Sequence, residues 1–277
     1  MNLFDQMLSR YEILTDIDSV NAQHEVMQQV ALAGLYRGGF FNKAAFYGGT
    51  CLRIFYGLQR FSEDMDFSLL QSEVDFRLED YFESIKMEFN ALGRDVVIYK
   101  KKKKIQTNVE SAFLKDDTAV YNMQFRTERT IKIKIEVDTN PPLGFITEEK
   151  FLLLPFSFMA RCYTLPDLYA GKMHALLFRS WKNRVKGRDW YDFEWYVRNN
   201  TPLNFQHLSE RTIQFGSLPV GELTQNNFIQ ILKEVILKTN IEMVKADVRP
   251  FIKNPVELDI WSTEYFTHLA DMIRFEI

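Results

Sequence analysis

The sequence predicts an α+β fold: a mixed, twisted sheet flanked by helices in the front half, followed by a C-terminal helical bundle. Three observations predict it. Residues 131–138 read IKIKIEVD, in which Ile or Val alternates strictly with a charged residue; a period of two marks a strand with one face in the core. Two short apolar runs, Ala44–Tyr47 and Met65–Leu69, are bounded by glycines and polar residues, as buried strands are. From about Thr164 the texture turns helical.

Taken in order, residues 1–37 read as helices, with Val26, Val30 and Ala33 at helical spacing and Gly38-Gly39 as the stop. Ala44–Tyr47 is a strand, and Thr50–Tyr56 a helix opened by the Gly48-Gly49 turn. Met65–Leu69 is the next strand. Phe76–Leu92 has an amphipathic period and ends at Gly93. Strands are expected at Val96–Tyr99, Ile105–Leu114, Ala119–Phe125 and Thr130–Val137. Thr164-Leu-Pro-Asp167 has the chemistry of a helix start: Thr caps, and Pro fits the first turn. That helix runs through Lys172 to about Arg179. Others are expected over Arg188–Arg198, Gln225–Lys238 and Leu258–Phe275. The domain reading is therefore 1–163 for the sheet with its N-terminal helices, and 164–277 for a helical domain that completes the active-site cleft.

Composition bounds the function. With 277 residues, 46% hydrophobic and 24 Phe, the chain can bury a large core. Lys plus Arg is 34 against 37 for Asp plus Glu, a net charge of -3. This excludes coating nucleic acid by bulk charge, though not a local basic groove. Cys51 and Cys162 lie in no CxxC or Cys/His cluster, so neither a disulfide framework nor a zinc module is expected, and a reducing cytoplasm is the expected location. His24, His174, His207 and His268 are scattered and read as core or surface residues. No run of about 18 apolar residues suggests a membrane span.

The chemistry centres on FYGGTCLRIFYGLQRFSEDMDFSLL, residues 46–70. Asp64 and Asp66 are two apart on an expected strand, so both carboxylates leave one face while Met65 and Phe67 enter the core. Two carboxylates this close repel, and one takes up a proton unless a cation lies between them. Magnesium, which prefers oxygen ligands, relieves this. Glu136, on the alternating strand, supplies a third acid if that strand lies beside Met65–Leu69. Asp138 has the same parity and is its rival; Glu136 is preferred because Asp138 ends the strand. Three such acids can hold two magnesium ions roughly 4 Å apart, the arrangement used for phosphoryl chemistry. Alone, an acid pair near a strand end is ordinary turn chemistry. The Gly48-Gly49 turn upstream changes that balance, because glycine permits close backbone approach and the following helix presents free N–H groups to a phosphate. Thr50 adds a hydroxyl.

Lys172 and Arg179 are seven apart and share a helix face. Asp189 and Asp192 share the face of the next helix. They either orient Lys172 or Arg188, touch a nucleotide base, or form a surface ion-pair network. Lys100–Lys104 is a run of five lysines: a solvated hairpin tip, or a sequence-blind contact to an RNA backbone. The aromatic run Trp190–Tyr196 reads as helix core before base-stacking surface.

These residues resemble the nucleotidyltransferase superfamily of DNA polymerase β type. More narrowly, they resemble the AbiEii/AbiGii toxin family, which shows Gly-Gly-Thr-x-Leu-Arg and then Arg-x-Ser-x-Asp-x-Asp-Phe. This chain supplies Gly48, Gly49, Thr50, Leu52 and Arg53, then Arg60, Ser62, Asp64, Asp66 and Phe67. KIEVD at Lys134–Asp138 resembles the family's third-acid strand, and Gly171–Phe193 its Lys-x-x-Ala-Leu...Arg-Asp-x-x-Asp segment. The resemblance spans about residues 44–197 and implies a nucleotidyltransferase fold. It implies a metal set of Asp64, Asp66 and Glu136 with Lys172 beside it. It also implies a nucleotide set of Gly48, Gly49, Thr50, Arg60, Ser62, Lys172, Asp189 and Asp192. Two Mg2+ ions, a nucleoside triphosphate substrate, an RNA acceptor such as a tRNA 3′ end and a cognate antitoxin complete the expectation. The rival readings are transfer to a small molecule or protein, and a non-catalytic nucleotide- or RNA-binding module.

Overall fold

The structure is a computed structural model that describes residues 2–100, 118–125, 131–142, 144–178 and 185–276. Lys101–Lys104, the expected strand over 105–114 and Arg179 lie outside the described residues. The chain divides into two compact units, one of residues 1–57, 61–141 and 147–162, the other of 58–60, 142–146 and 163–277.

The first unit carries strands β1 (Ala44–Tyr47), β2 (Met65–Leu69), β3 (Val96–Lys100), β4 (Thr118–Phe125), β5 (Ile131–Asp138), β6 (Thr147–Leu152) and β7 (Phe158–Tyr163). Among the described residues they form one sheet in the order β3-β4-β5-β2-β1-β7-β6. The sheet is mixed: β1 runs antiparallel to β2, whereas β2 runs parallel to β5 and β1 parallel to β7. Ile131, Ile133, Ile135 and Val137 of β5 are all buried, and the charged residues between them are not, as the alternation predicts. Met65 and Phe67 also face the core, where Phe67 stacks on Phe46 with ring centroids 4.9 Å apart and meets Phe40 edge-on at 5.0 Å.

Helices α1 (Leu3–Leu8), α2 (Asp16–Arg37), α3 (Gly48–Tyr56) and α4 (Phe82–Ala91) belong to the same unit. A reciprocal cap starts α2: the Thr15 side chain accepts from the Asp18 N–H, and the Asp18 carboxylate accepts from the Thr15 N–H. α2 packs on α4 so closely at Gly34 that a Cβ there would collide with the backbone of Ile85. The expected helix over Phe76–Leu92 is shorter in the structure, a 3-10 turn at Leu78–Tyr81 followed by α4. β6 and β7 have no counterpart among the strands expected from the sequence. β6 reads TEEKFL, whose charged residues hide a period of two on the sheet's edge.

The second unit holds α5 (Leu165–Phe178), α6 (Gly187–Arg198), α7 (Phe205–Gln214), α8 (Gln225–Lys238), α9 (Ile241–Val248) and α10 (Thr263–Asp271). A two-residue strand β8 (Pro202–Leu203) pairs in parallel with β9 (Arg274–Phe275). Thr164 opens α5, its hydroxyl 2.6 Å from the Asp167 carboxylate. The aromatic run of α6 is core: Trp190 packs edge-on against Phe266 at 4.9 Å, and Tyr196 stacks on Tyr169 at 4.4 Å. The expected long helix over Leu258–Phe275 is broken in the structure. Pro255 starts a 3-10 turn, Ser262 caps the shorter α10, and the chain ends in β9. No described helix is long and apolar enough to cross a membrane.

Candidate active site

β2 and β5 run in parallel register, with Met65 opposite Ile135, Asp66 opposite Glu136 and Ser68 opposite Asp138. Residues opposite one another share a face, so Asp66 and Glu136 project side by side while Met65 and Ile135 enter the core. Asp64 falls one residue before β2 rather than within it. Its carboxylate still reaches the same place, because Lys134 Nζ lies 2.5 Å from Glu136 Oε1 and 4.0 Å from Asp64 Oδ2. Burial pulls the Lys134 ammonium toward a lower pKa, but Glu136, Asp64 and Asp66 outweigh it and raise the pKa above the usual lysine value. The acids thus gather around one cation already. Among the described residues, no three carboxylate, imidazole or thiolate side chains stand close enough to one another to hold a metal directly. In this arrangement the Lys134 ammonium supplies positive charge to Glu136 and Asp64. Asp138 is engaged elsewhere, its Oδ1 accepting from the Asn140 N–H at 3.1 Å in the turn that ends β5.

The glycine turn lies against this face. Tyr47 is opposite Asp66 across the antiparallel β1–β2 pair, and Gly48 follows with φ +81°. L side chains avoid that region, and a Cβ at Gly48 would also strike the Asp66 carboxylate. α3 starts at Gly48 with no side chain capping it, so its first N–H groups and the positive end of its dipole point out of the turn. The Thr50 hydroxyl is buried and donates to the Asp64 main-chain carbonyl. From α2, buried Gln28 donates through Nε2 to the carbonyls of Ser62 and Glu63, each at 3.0 Å. Arg53 ion-pairs with Glu25 at 2.8 Å and lies over the Phe61 ring at 4.5 Å.

In the second unit, four of the expected residues form one charge cluster. Arg60 grips Asp192 with two parallel bonds, Nε to Oδ1 and Nη2 to Oδ2, each 2.6 Å. Lys172 Nζ lies 2.7 Å from Asp189 Oδ1 and 2.8 Å from Asp192 Oδ2. The Asp192 side chain is wholly buried and that of Arg60 is 2% exposed. Burial alone would raise the Asp192 pKa; the Arg60 and Lys172 cations reverse that and hold it below the ordinary carboxylate range. Of the three roles open to Asp189 and Asp192 in the sequence, the geometry matches holding Lys172.

Two residues near the acids are absent from the set that the sequence singles out. Lys134 lies two before Glu136 and so on the same strand face, but parity alone does not say that this face holds acids. Gln28 had only a faint one, a polar residue inside the apolar stretch of α2.

The family description "Nucleotidyl transferase AbiEii toxin, Type IV TA system" matches residues 30–277. No curated protein matches the chain. The fold resembles that of MenT4, a nucleotidyltransferase toxin from Mycobacterium tuberculosis H37Rv, with TM-score 0.62, 14% identity, and coverage of 96% of this chain and 88% of that one. It also resembles a candidate nucleotidyltransferase from H. pylori, with TM-score 0.50, 16% identity, and coverage of 90% and 92%. At such identities the likeness speaks for the fold, which matches the mixed sheet flanked by helices. The family match covers most of the chain and includes every residue of the acid face and the glycine turn. This chain belongs to the AbiEii nucleotidyltransferase toxin family.

Proposed function

We propose that the protein is the toxin of a bacterial toxin–antitoxin or abortive-infection pair, and that it transfers a nucleoside monophosphate from a nucleoside triphosphate to an RNA 3′ hydroxyl. The observation that carries this reading is the register of Asp66 against Glu136, with Asp64 reaching the same cation beside an uncapped helix start.

The donor set consists of carboxylate oxygens, which suits magnesium. Asp64, Asp66 and Glu136 would hold two Mg2+ ions. Bound there, they would lower the pKa of the attacking hydroxyl and offset charge on the departing pyrophosphate. The chain's own parts have separate roles. The main-chain N–H groups at the start of α3, from Gly48 to Thr50, take the β- and γ-phosphates. The Thr50 hydroxyl, spent on the Asp64 carbonyl, fixes that turn to the acid strand. Ser62 belongs to the segment that aims Asp64. The acceptor oxygen attacks the α-phosphorus in line, the bond to the bridging oxygen breaks, and pyrophosphate leaves. On the strength of the resemblance, Lys172 offsets triphosphate charge; Asp189 and Asp192 hold its amine in one place, with Arg60 locking Asp192. A cognate antitoxin restrains the activity in the cell, which would be cytoplasmic.

The test is transfer of each triphosphate, labelled on its α-phosphorus, to purified RNA pools and in parallel to a panel of small-molecule and protein acceptors. Label in RNA, dependent on magnesium, is the expected result. Label only in a small molecule or protein would overturn the RNA acceptor. No transfer to any acceptor, together with failure to bind magnesium nucleotide in calorimetry, would overturn the enzyme reading.

A further inference from the structure

Asp64 poses a problem that the sheet does not solve. Asp66 and Glu136 are fixed by β2 and β5, but Asp64 precedes β2, whose register against β5 starts only at Met65. A carboxylate that must meet two others within a few tenths of an ångström needs another anchor.

The main chain before β2 supplies the attachment points. The carbonyls of Ser62, Glu63 and Asp64 are three in succession, and all three accept from side chains. Gln28 Nε2 donates to the first two at 3.0 Å each, and Thr50 Oγ1 donates to the third. Gln28 and Thr50 are both fully buried, and they come from different helices, α2 and α3. A primary amide is well suited to bridging two carbonyls, because its nitrogen carries two hydrogens, one for each. One turn earlier on α2, His24 Nε2 lies 3.1 Å from the Lys132 carbonyl of β5. The same helix therefore touches the lead-in to Asp64 and the strand that carries Glu136.

Resting on the nucleotidyltransferase reading above, we propose that Gln28 is a positioning residue of the transfer site. Together with Thr50 it clamps the three carbonyls and sets the Asp64 carboxylate against Asp66 and Glu136. Gln28 touches no substrate. Its effect passes entirely through the placement of Asp64.

The experiment uses the full chain and reads manganese affinity by calorimetry, kcat and KM for the triphosphate, and thermal stability. It also follows hydrogen exchange of the Met65 and Asp66 amides without metal. Gln28→Leu keeps a similar volume and removes both donors. The expected result is about a tenfold loss in manganese affinity and roughly a 10- to 100-fold loss in kcat. KM should change little, since the α3 turn is intact, and the two amides should exchange faster. Thr50→Val should lose manganese affinity and kcat in the same way, with KM rising as well because its hydroxyl ties the α3 turn to Asp64. Thr50→Ser, which restores the hydroxyl, should recover most of the loss. That pair carries the test if Gln28→Leu does not fold. Wild-type manganese affinity and kcat in Gln28→Leu or Thr50→Val, with only the melting temperature lowered, would overturn the proposal. So would equal behaviour of Thr50→Val and Thr50→Ser. Wild-type and Asp66→Ala proteins run alongside. Absence of manganese binding in the wild type, or its full retention in Asp66→Ala, would count against the transfer reading instead.

Discussion

Asp66 is constrained from two sides. Glu136 stands beside it in register, and Gly48 passes so close that a single methyl group would displace it. Gly48→Ala therefore has two consequences of different size. Forcing an L residue to φ +81° costs roughly 1–2 kcal/mol of stability. The new methyl also pushes the Asp66 carboxylate aside, so nucleotide transfer should fall more than stability does; comparing the melting shift with kcat checks this. Glu136 and Asp138 make a second contrast. Only Glu136 is opposite Asp66, while Asp138 caps the turn at Asn140. Glu136→Gln should lose transfer by a factor on the order of a hundred or more, and Asp138→Asn by far less; equal losses would reopen the choice of third acid. Lys134 gives a third expectation. Its ammonium lies against Glu136 and Asp64, two of the acids proposed to hold metal, so on that reading Lys134→Met should tighten divalent-cation binding, measured by calorimetry. The side-by-side placement of Asp66 and Glu136 was legible because a strand's period of two gives it; Asp64 was read onto the same strand but precedes it. Lys134 obeys the same parity, but a lysine on an alternating strand carries no sign of its own that it faces acids rather than water.

At the scale of elements, α2 is both the longest described helix and the element that reaches both acid-bearing segments, through Gln28 and His24. Its seat on α4 depends on Gly34. Ala there would gain about 1 kcal/mol of helix propensity. The added Cβ would meet the Ile85 backbone, which cannot swing away, and overpacking of that kind costs about 1–3 kcal/mol. Net destabilisation of Gly34→Ala in chemical denaturation is the expected outcome, and a gain in stability would show that α2 and α4 can part. β1, β2 and β5 were legible as elements because each buries an apolar face beside a clear stop. β6 and β7 were not, because a sheet-edge strand needs few apolar residues and TEEKFL exposes its charges. The break between the 3-10 turn at Pro255 and α10 was hidden by aromatic residues at helical spacing, although Pro255 and Ser262 both signalled it.

At the scale of the whole molecule, each unit keeps its charge in a different state. The acid face of the first unit is partly exposed and balanced by Lys134, whereas the cluster of the second unit is sealed. Breaking a buried pair strands the partner, at a cost of about 3–5 kcal/mol, so Asp192→Ala should destabilise the second unit by about that much. The pH dependence follows from the direction of the Asp192 shift. Its folded pKa is depressed, so the stabilisation is fully present above the unfolded value of about 3.9 and is lost as pH falls through the lower folded value. Acid titration of the wild type should therefore show a loss of stability below about pH 4 that is blunted in Asp192→Asn. The fold class was legible from periodicity and the family from motifs. The pairing of Arg60 with Asp192 was not, because the two stand 132 positions apart and no local pattern links such positions.

On the proposed reading, Asp64, Asp66 and Glu136 act together as one catalytic face for nucleotidyl transfer. The most direct measurement is label transferred from an α-labelled triphosphate to total RNA by the wild type and by Asp66→Ala, both shown folded by circular dichroism. Magnesium-dependent labelling by the wild type and none above background by Asp66→Ala is the expected result. Labelling by Asp66→Ala at the wild-type rate would contradict it.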